Sequence, residues 1–115
     1  MHFEKHNKPI IKFSDNVNLY FEELTTILFL QNYFGSLDSS IRYVAKMRKY
    51  IEEYIAVLPA KTASSYFSKY QKGMKYISYT PNNNTTWYIF FLQEDNRFLV
   101  CYITNNHYEG QYIRY

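Results

Sequence analysis

The chain has 115 residues, 47% of them hydrophobic and 20% charged, which suits one globular domain with a single core and argues against a disordered chain. Net charge is +3, and the excess sits in the second half: residues 1–60 carry seven basic and seven acidic side chains, residues 61–115 six and three. No carboxylate falls between Glu53 and Glu94, while Lys61, Lys69, Lys72 and Lys75 do, so this stretch would attract an anionic partner rather than a cationic one.

Aromatic residues reach 21%, with 14 Tyr and 9 Phe. Tyr combines a ring that can be buried with a polar tip, which suits half-buried strands, stacking surfaces and interfaces. The only cysteine, Cys101, lies in the apolar run Phe98–Ile103, so an intrachain disulfide and a thiolate zinc cluster are excluded, and a buried structural thiol is expected. The longest strongly apolar stretch, Thr26–Leu30, is far short of the roughly 20 residues of a membrane helix, and Met1–Lys8 lacks a hydrophobic signal core. A cytoplasmic protein without membrane partners is expected.

In chain order, Pro9–Ser14 reads as a first strand and Ser14 or Asp15 as the N-cap of a helix. Val17, Tyr20, Phe21, Leu24, Ile27 and Leu28 recur at helical spacing over about five turns, and Gly35, after Tyr33-Phe34, offers a left-handed closure. Ser36 caps a second helix, with Asp38 in its first turn. Two adjacent stripes, Leu37, Ile41, Val44, Ile51, Ile55 and Leu58 beside Tyr43, Met47, Tyr50, Tyr54 and Val57, predict a wide apolar face that Pro59 ends. The short connection between the helices favours a hairpin.

Residues 60–73 read as a connector holding at most one irregular turn or edge strand. Met74–Tyr79, Thr86–Leu92 and Arg97–Thr104 then read as strands joined by turn-rich segments at 80–85 and 93–96. Tyr108–Tyr115 is a tail that would extend the sheet or form a turn of helix. The expectation is an α+β domain over residues 1–115, ordered β-α-α-β-β-β, with a helical hairpin packed on a small antiparallel meander.

The chemistry is sparse. His2, His6 and His107 have no acidic or cysteine companions at ligand spacing, and Gly35, Gly73 and Gly110 are isolated, so neither a metal site nor a phosphate loop is expected. Glu52-Glu53 and Glu94-Asp95 read as surface carboxylates. What remains is a set on the sheet side: Lys75, Tyr76, Tyr79, Arg97, His107, Tyr108, Tyr112 and Arg114. Such residues can position a phosphate, stack on a base and move a proton without a metal. Equally, tyrosines on adjacent strands are commonly packing pairs, flanked by solubilising lysines.

With Thr86–Phe91, Asp95–Val100 and Tyr102–His107, the strand, helical hairpin and three-stranded meander resemble the RelE/ParE superfamily of bacterial toxins, in the variants of Bacteroides-type bacteria. The resemblance implies the toxin of a type II toxin–antitoxin system: a RelE-like, metal-independent endoribonuclease that cleaves mRNA on the ribosome, or a ParE-like non-catalytic inhibitor of DNA gyrase. Either would be paired with a cognate antitoxin, with no cofactor. For a nuclease it places His107 as general acid or base, Tyr112 as stacking or relay residue, and Arg97 and Lys75 on phosphate, with Tyr76, Tyr79, Tyr108 and Arg114 contacting substrate. The family's third-strand arginine is replaced here by Thr86, and a second-strand lysine by Tyr76 or Ser78. A third reading is therefore a degenerate toxin fold kept for protein binding.

Overall fold

A computed structural model describes residues 8–31 and 35–114. The elements are β1 (Ile10–Phe13), α1 (Asp15–Leu30), α2 (Leu37–Tyr54), β2 (Lys61–Thr62), a 3-10 turn (Ser65–Lys69), β3 (Lys75–Tyr79), β4 (Trp87–Glu94), β5 (Arg97–Asn105) and a second 3-10 turn (Gly110–Tyr112). The expected α+β class, both helices and the antiparallel β3-β4-β5 meander are present.

The helix starts follow local chemistry. The Ser14 and Ser36 side chains accept hydrogen bonds from the backbone N–H of Val17 and Ser39, each occupying one of the donors that a helix start leaves free. The helix ends differ from expectation. Helix α1 stops at Leu30, with Gln31 as its C-cap, so Gly35 does not close it; the turn expected at Tyr33-Phe34 lies outside the described residues. Helix α2 ends at Tyr54, before Pro59, because residues 55–57 already tighten into turns.

The sheet is mixed and five-stranded, in the order β1-β5-β4-β3-β2, rather than a purely antiparallel meander. Strand β1 pairs parallel with Arg97–Val100 of β5. That pairing requires a crossover, which the two helices provide on one face. The connector supplies both an edge strand, β2, antiparallel to β3, and a 3-10 turn, more structure than its composition suggested. Gly73 (φ 78°) makes the turn into β3, a left-handed conformation costly for any residue with a Cβ.

Each face of the sheet carries its own cluster. On the helix side Val17, Phe21, Leu24 and Leu28 of α1 and Val44, Met47, Ile51 and Ile55 of the α2 region close over Ile77, Ile89, Phe91, Phe98, Val100 and Ile103. The fully buried strip of the α2 region is Ser40-Val44-Met47-Ile51-Ile55, with Tyr43, Tyr50 and Leu58 packed half-buried beside it, so only part of each expected stripe reaches the core. Leu37, Ile41, Tyr54 and Val57 are exposed, as is Ile27 of α1, because a helix lying on a small sheet contacts it along one line. On the opposite face Phe67, Met74, Tyr76, Phe90 and Ile113 form a smaller cluster, closed by the two 3-10 turns.

A register shift at Phe90/Phe91 leaves Cys101 unpaired in the β4–β5 ladder, and both Cys101 and Tyr102 turn toward this second cluster. The thiol is free and half-buried, and burial pushes its pKa up, against a weaker opposing backbone contact at Leu92, which suits a structural rather than nucleophilic cysteine.

Candidate functional site

The loop after β5 is built from asparagines. Asn105 is buried, and its Oδ1 accepts the backbone N–H of His107 at 2.8 Å. Asn106 clamps the facing loop: its Oδ1 accepts Thr86 N–H at 2.9 Å and its Nδ2 donates to Asn84 O at 3.2 Å. Asn82 shapes that loop in turn, its Oδ1 accepting the N–H groups of Asn84 and Thr85. His107 thus stands exposed on a fixed backbone, its Nε2 3.1 Å from Thr85 Oγ1. Thr86, where the resemblance implies an arginine, has its hydroxyl against Thr80 Oγ1 at 3.1 Å.

Two residues on, the chain buries a carboxylate. Glu109 is 8% exposed and lies under the face opposite the helices. Tyr66 Oη and Tyr70 Oη donate to its Oε2 at 2.8 and 2.7 Å, and Tyr102 Oη donates to its Oε1 at 2.5 Å. Burial alone would push the Glu109 carboxyl up, but the hydroxyls of Tyr102, Tyr70, Tyr66 and Thr104 outweigh it and hold the group below the usual carboxylate range. Burial, then the bond to Glu109, drives the Tyr102 phenol far up, so it stays a donor. The rings form two stacks, Tyr70 on Tyr102 at 3.9 Å and Tyr66 on Tyr112 at 3.8 Å, and Lys69 Nζ lies 3.9 Å from the Tyr66 ring centre.

The residues expected to share one surface occupy three places. Arg97 and His107 lie at opposite ends of β5, roughly 25 Å apart at strand rise. Lys75 pairs with Phe91, and Tyr79 with Trp87, so both fall on the helix side, where Tyr79 packs 4.5 Å from Tyr50. Tyr76 faces the other way and is buried against Phe90 and Tyr88. Tyr112 is half-buried in its stack on Tyr66, and its carbonyl accepts from Ser64 Oγ. Only Tyr108, exposed beside His107, remains next to it, while Arg114 is exposed on the tail near Tyr76.

By alternation along the strands, the face opposite the helices carries Lys12, Lys61 and Arg97, joined by Lys69 and Arg114 from the segments that cover it. Glu94, cross-strand from Arg97, is its rim carboxylate. The residue that sequence reasoning missed is Glu109. Its one signal was a lone acid in a tyrosine-rich tail, between Tyr108 and Gly110.

Among the described residues no group of three or more His, Cys, Asp or Glu could hold a metal ion, and no helix is long and apolar enough to cross a membrane; His2 and His6 lie outside the described residues. Comparison of the chain with protein-family models, curated proteins and solved structures gave no match.

Proposed function

We propose that the chain is a RelE/ParE-like toxin of a type II toxin–antitoxin system, acting on mRNA as a metal-independent endoribonuclease through the face opposite its helices. The observation that carries this reading is the character of that face: Lys12, Lys61, Lys69, Arg97 and Arg114 share it with stacked tyrosines, Lys69 lying over one of the rings, and the carboxylate Glu109 is buried and enclosed by phenols. Such a surface favours phosphate on its cations and bases on its rings. The element order also supports it: strand, helical pair, then meander, with β2 as a short addition.

In this reading Lys61 and Arg114 contact phosphate, Tyr76 lies beneath them, and His107 is the general acid or base at the end of β5, with Tyr108 beside it. Lys75 and Tyr79, on the helix side, are excluded from the substrate face. On a ribosome programmed with a defined message, wild type is expected to cleave mRNA, and His107→Ala to lose about 100-fold of the rate. No cleavage by the wild-type protein overturns the nuclease reading.

One observation favours a second reading: the described lining of the cavity that His107 borders holds no Lys or Arg, so charge developing on a phosphate there would lack a nearby cation. A ParE-like, non-catalytic grip on DNA gyrase needs none. It predicts inhibition of supercoiling with translation unaffected. For both readings, growth arrest on expression is expected to be relieved by a cognate antitoxin.

A further inference from the structure

Strand β1 covers only the Arg97–Val100 half of β5. Beyond it, four consecutive residues, Tyr102 to Asn105, border a cavity of about 770 Å³. Successive side chains of a strand point to opposite faces, so a space that touches four in a row lies along the strand's open edge. Helix α1 forms its opposite wall from Asn16 to Gln31, and the loops at 82–85 and 105–109 form its end.

The lining is chemically one-sided. Six aromatic rings border the space, including Trp87 and Tyr43, which fix each other through a 2.9 Å bond from the indole N–H to the phenol oxygen. The acids are Glu23 on α1 and Glu109 at the inner end. Although the chain holds 13 Lys and Arg, none is among the described residues of the lining. A phosphate or carboxylate would meet no Lys or Arg there, His107 being the one basic side chain of the described lining, while Asn16, Asn82 and Asn105 are already bonded within the fold. A cation meets ring faces and the exposed Glu23, with Glu109 held by its phenols at the inner end, and the volume is in the range of small-molecule sites.

We propose that this cavity binds a small organic cation, an amine carrying an apolar or aromatic body, held between Tyr20, Trp87 and Tyr108 with its charge toward the exposed Glu23. The cavity shares His107, Tyr108 and Glu109 with the toxin reading, but amine binding is read without RNA or gyrase, so either can fail alone.

Trp87 is the only tryptophan, so its fluorescence and its indole N–H resonance report on this cavity alone. Titration of the full chain with phenethylammonium is expected to shift both signals saturably. Phenylacetate, the same body with the opposite charge, is expected to shift neither. Glu23→Gln, an exposed change that leaves the fold intact by circular dichroism, is expected to weaken the amine roughly fivefold, the scale of one partly exposed charge. Three results would each overturn the proposal: no saturable response to the amine, equal response to phenylacetate, or unchanged affinity in Glu23→Gln. A saturable response to a neutral extended peptide without one to the amine would also overturn it, and would make the open edge of β5 a site for strand addition.

Discussion

The two faces of this sheet are stabilised by different physics. The helix side is a continuous hydrocarbon layer in which Met47, Ile51, Ile89, Phe91 and Val100 have no exposed surface, and it depends on apolar area removed from water. The other face has a small apolar patch around Phe67 and Phe90, and next to it a carboxylate on which three phenols converge. Area tolerates modest changes in shape, whereas a buried charge tolerates no missing partner. The first face explains why the chain folds, and the second how a basic surface is kept free of the negative charge beneath it.

The largest expected effect is on the helix side. Phe91→Ala removes a fully buried ring and should cost about 3–5 kcal/mol in urea unfolding. Glu109→Leu should follow at roughly 1–3 kcal/mol, because it removes the acceptor shared by three phenols, of which Tyr66 and Tyr102 are half-buried and Tyr70 is exposed. Its double-mutant cycle with Tyr102→Phe should show strong coupling, while Phe91→Ala and Tyr102→Phe, on opposite faces, should be nearly additive. Additivity of the Glu109 pair would erase the contrast between the faces.

Acid should separate the faces as well. The folded-state pKa of Glu109 lies below its unfolded value, so the stability it provides is present above the unfolded pKa of about 4.3 and is lost as pH falls through the folded one. Wild type should therefore lose stability on acidification below about pH 4.5, and Glu109→Gln should show a shallower decline in the same melts. An identical slope in both proteins would show that the carboxylate is not held by the phenols.

Smaller still, Ser14→Ala should cost about 1 kcal/mol through the lost cap of α1. Lys61→Ala, exposed on the edge strand, should change stability by less than about 0.5 kcal/mol, and under the proposed nuclease reading should weaken RNA binding with a reduced salt dependence.

Local features were legible because their causes are local. Ser14 and Ser36 cap their helices through atoms three residues away, and the strand pattern from residue 75 to 105 reflects side-chain alternation along each strand. Features set by distant partners were not. Leu37, Ile41 and Val57 satisfy a helical period, but which apolar residues of α2 meet the sheet depends on how the helix is laid on it. The parallel pairing of β1 with β5 joins segments 87 residues apart in sequence, as with Ile10 and Arg97.

The same division applies to the candidate site. By itself the sequence determined the α+β character of the domain, the acid-poor stretch from Glu53 to Glu94, the lone cysteine and the position of His107 just past a strand, since composition and spacing carry all of these. Only the tertiary structure decided that Lys75 falls on the helix side and away from Arg97, and that Tyr66, Tyr70 and Tyr102 converge on Glu109. The reason is geometric: spacing along a strand reports which side a residue faces, but not which distant residues the fold brings to that side.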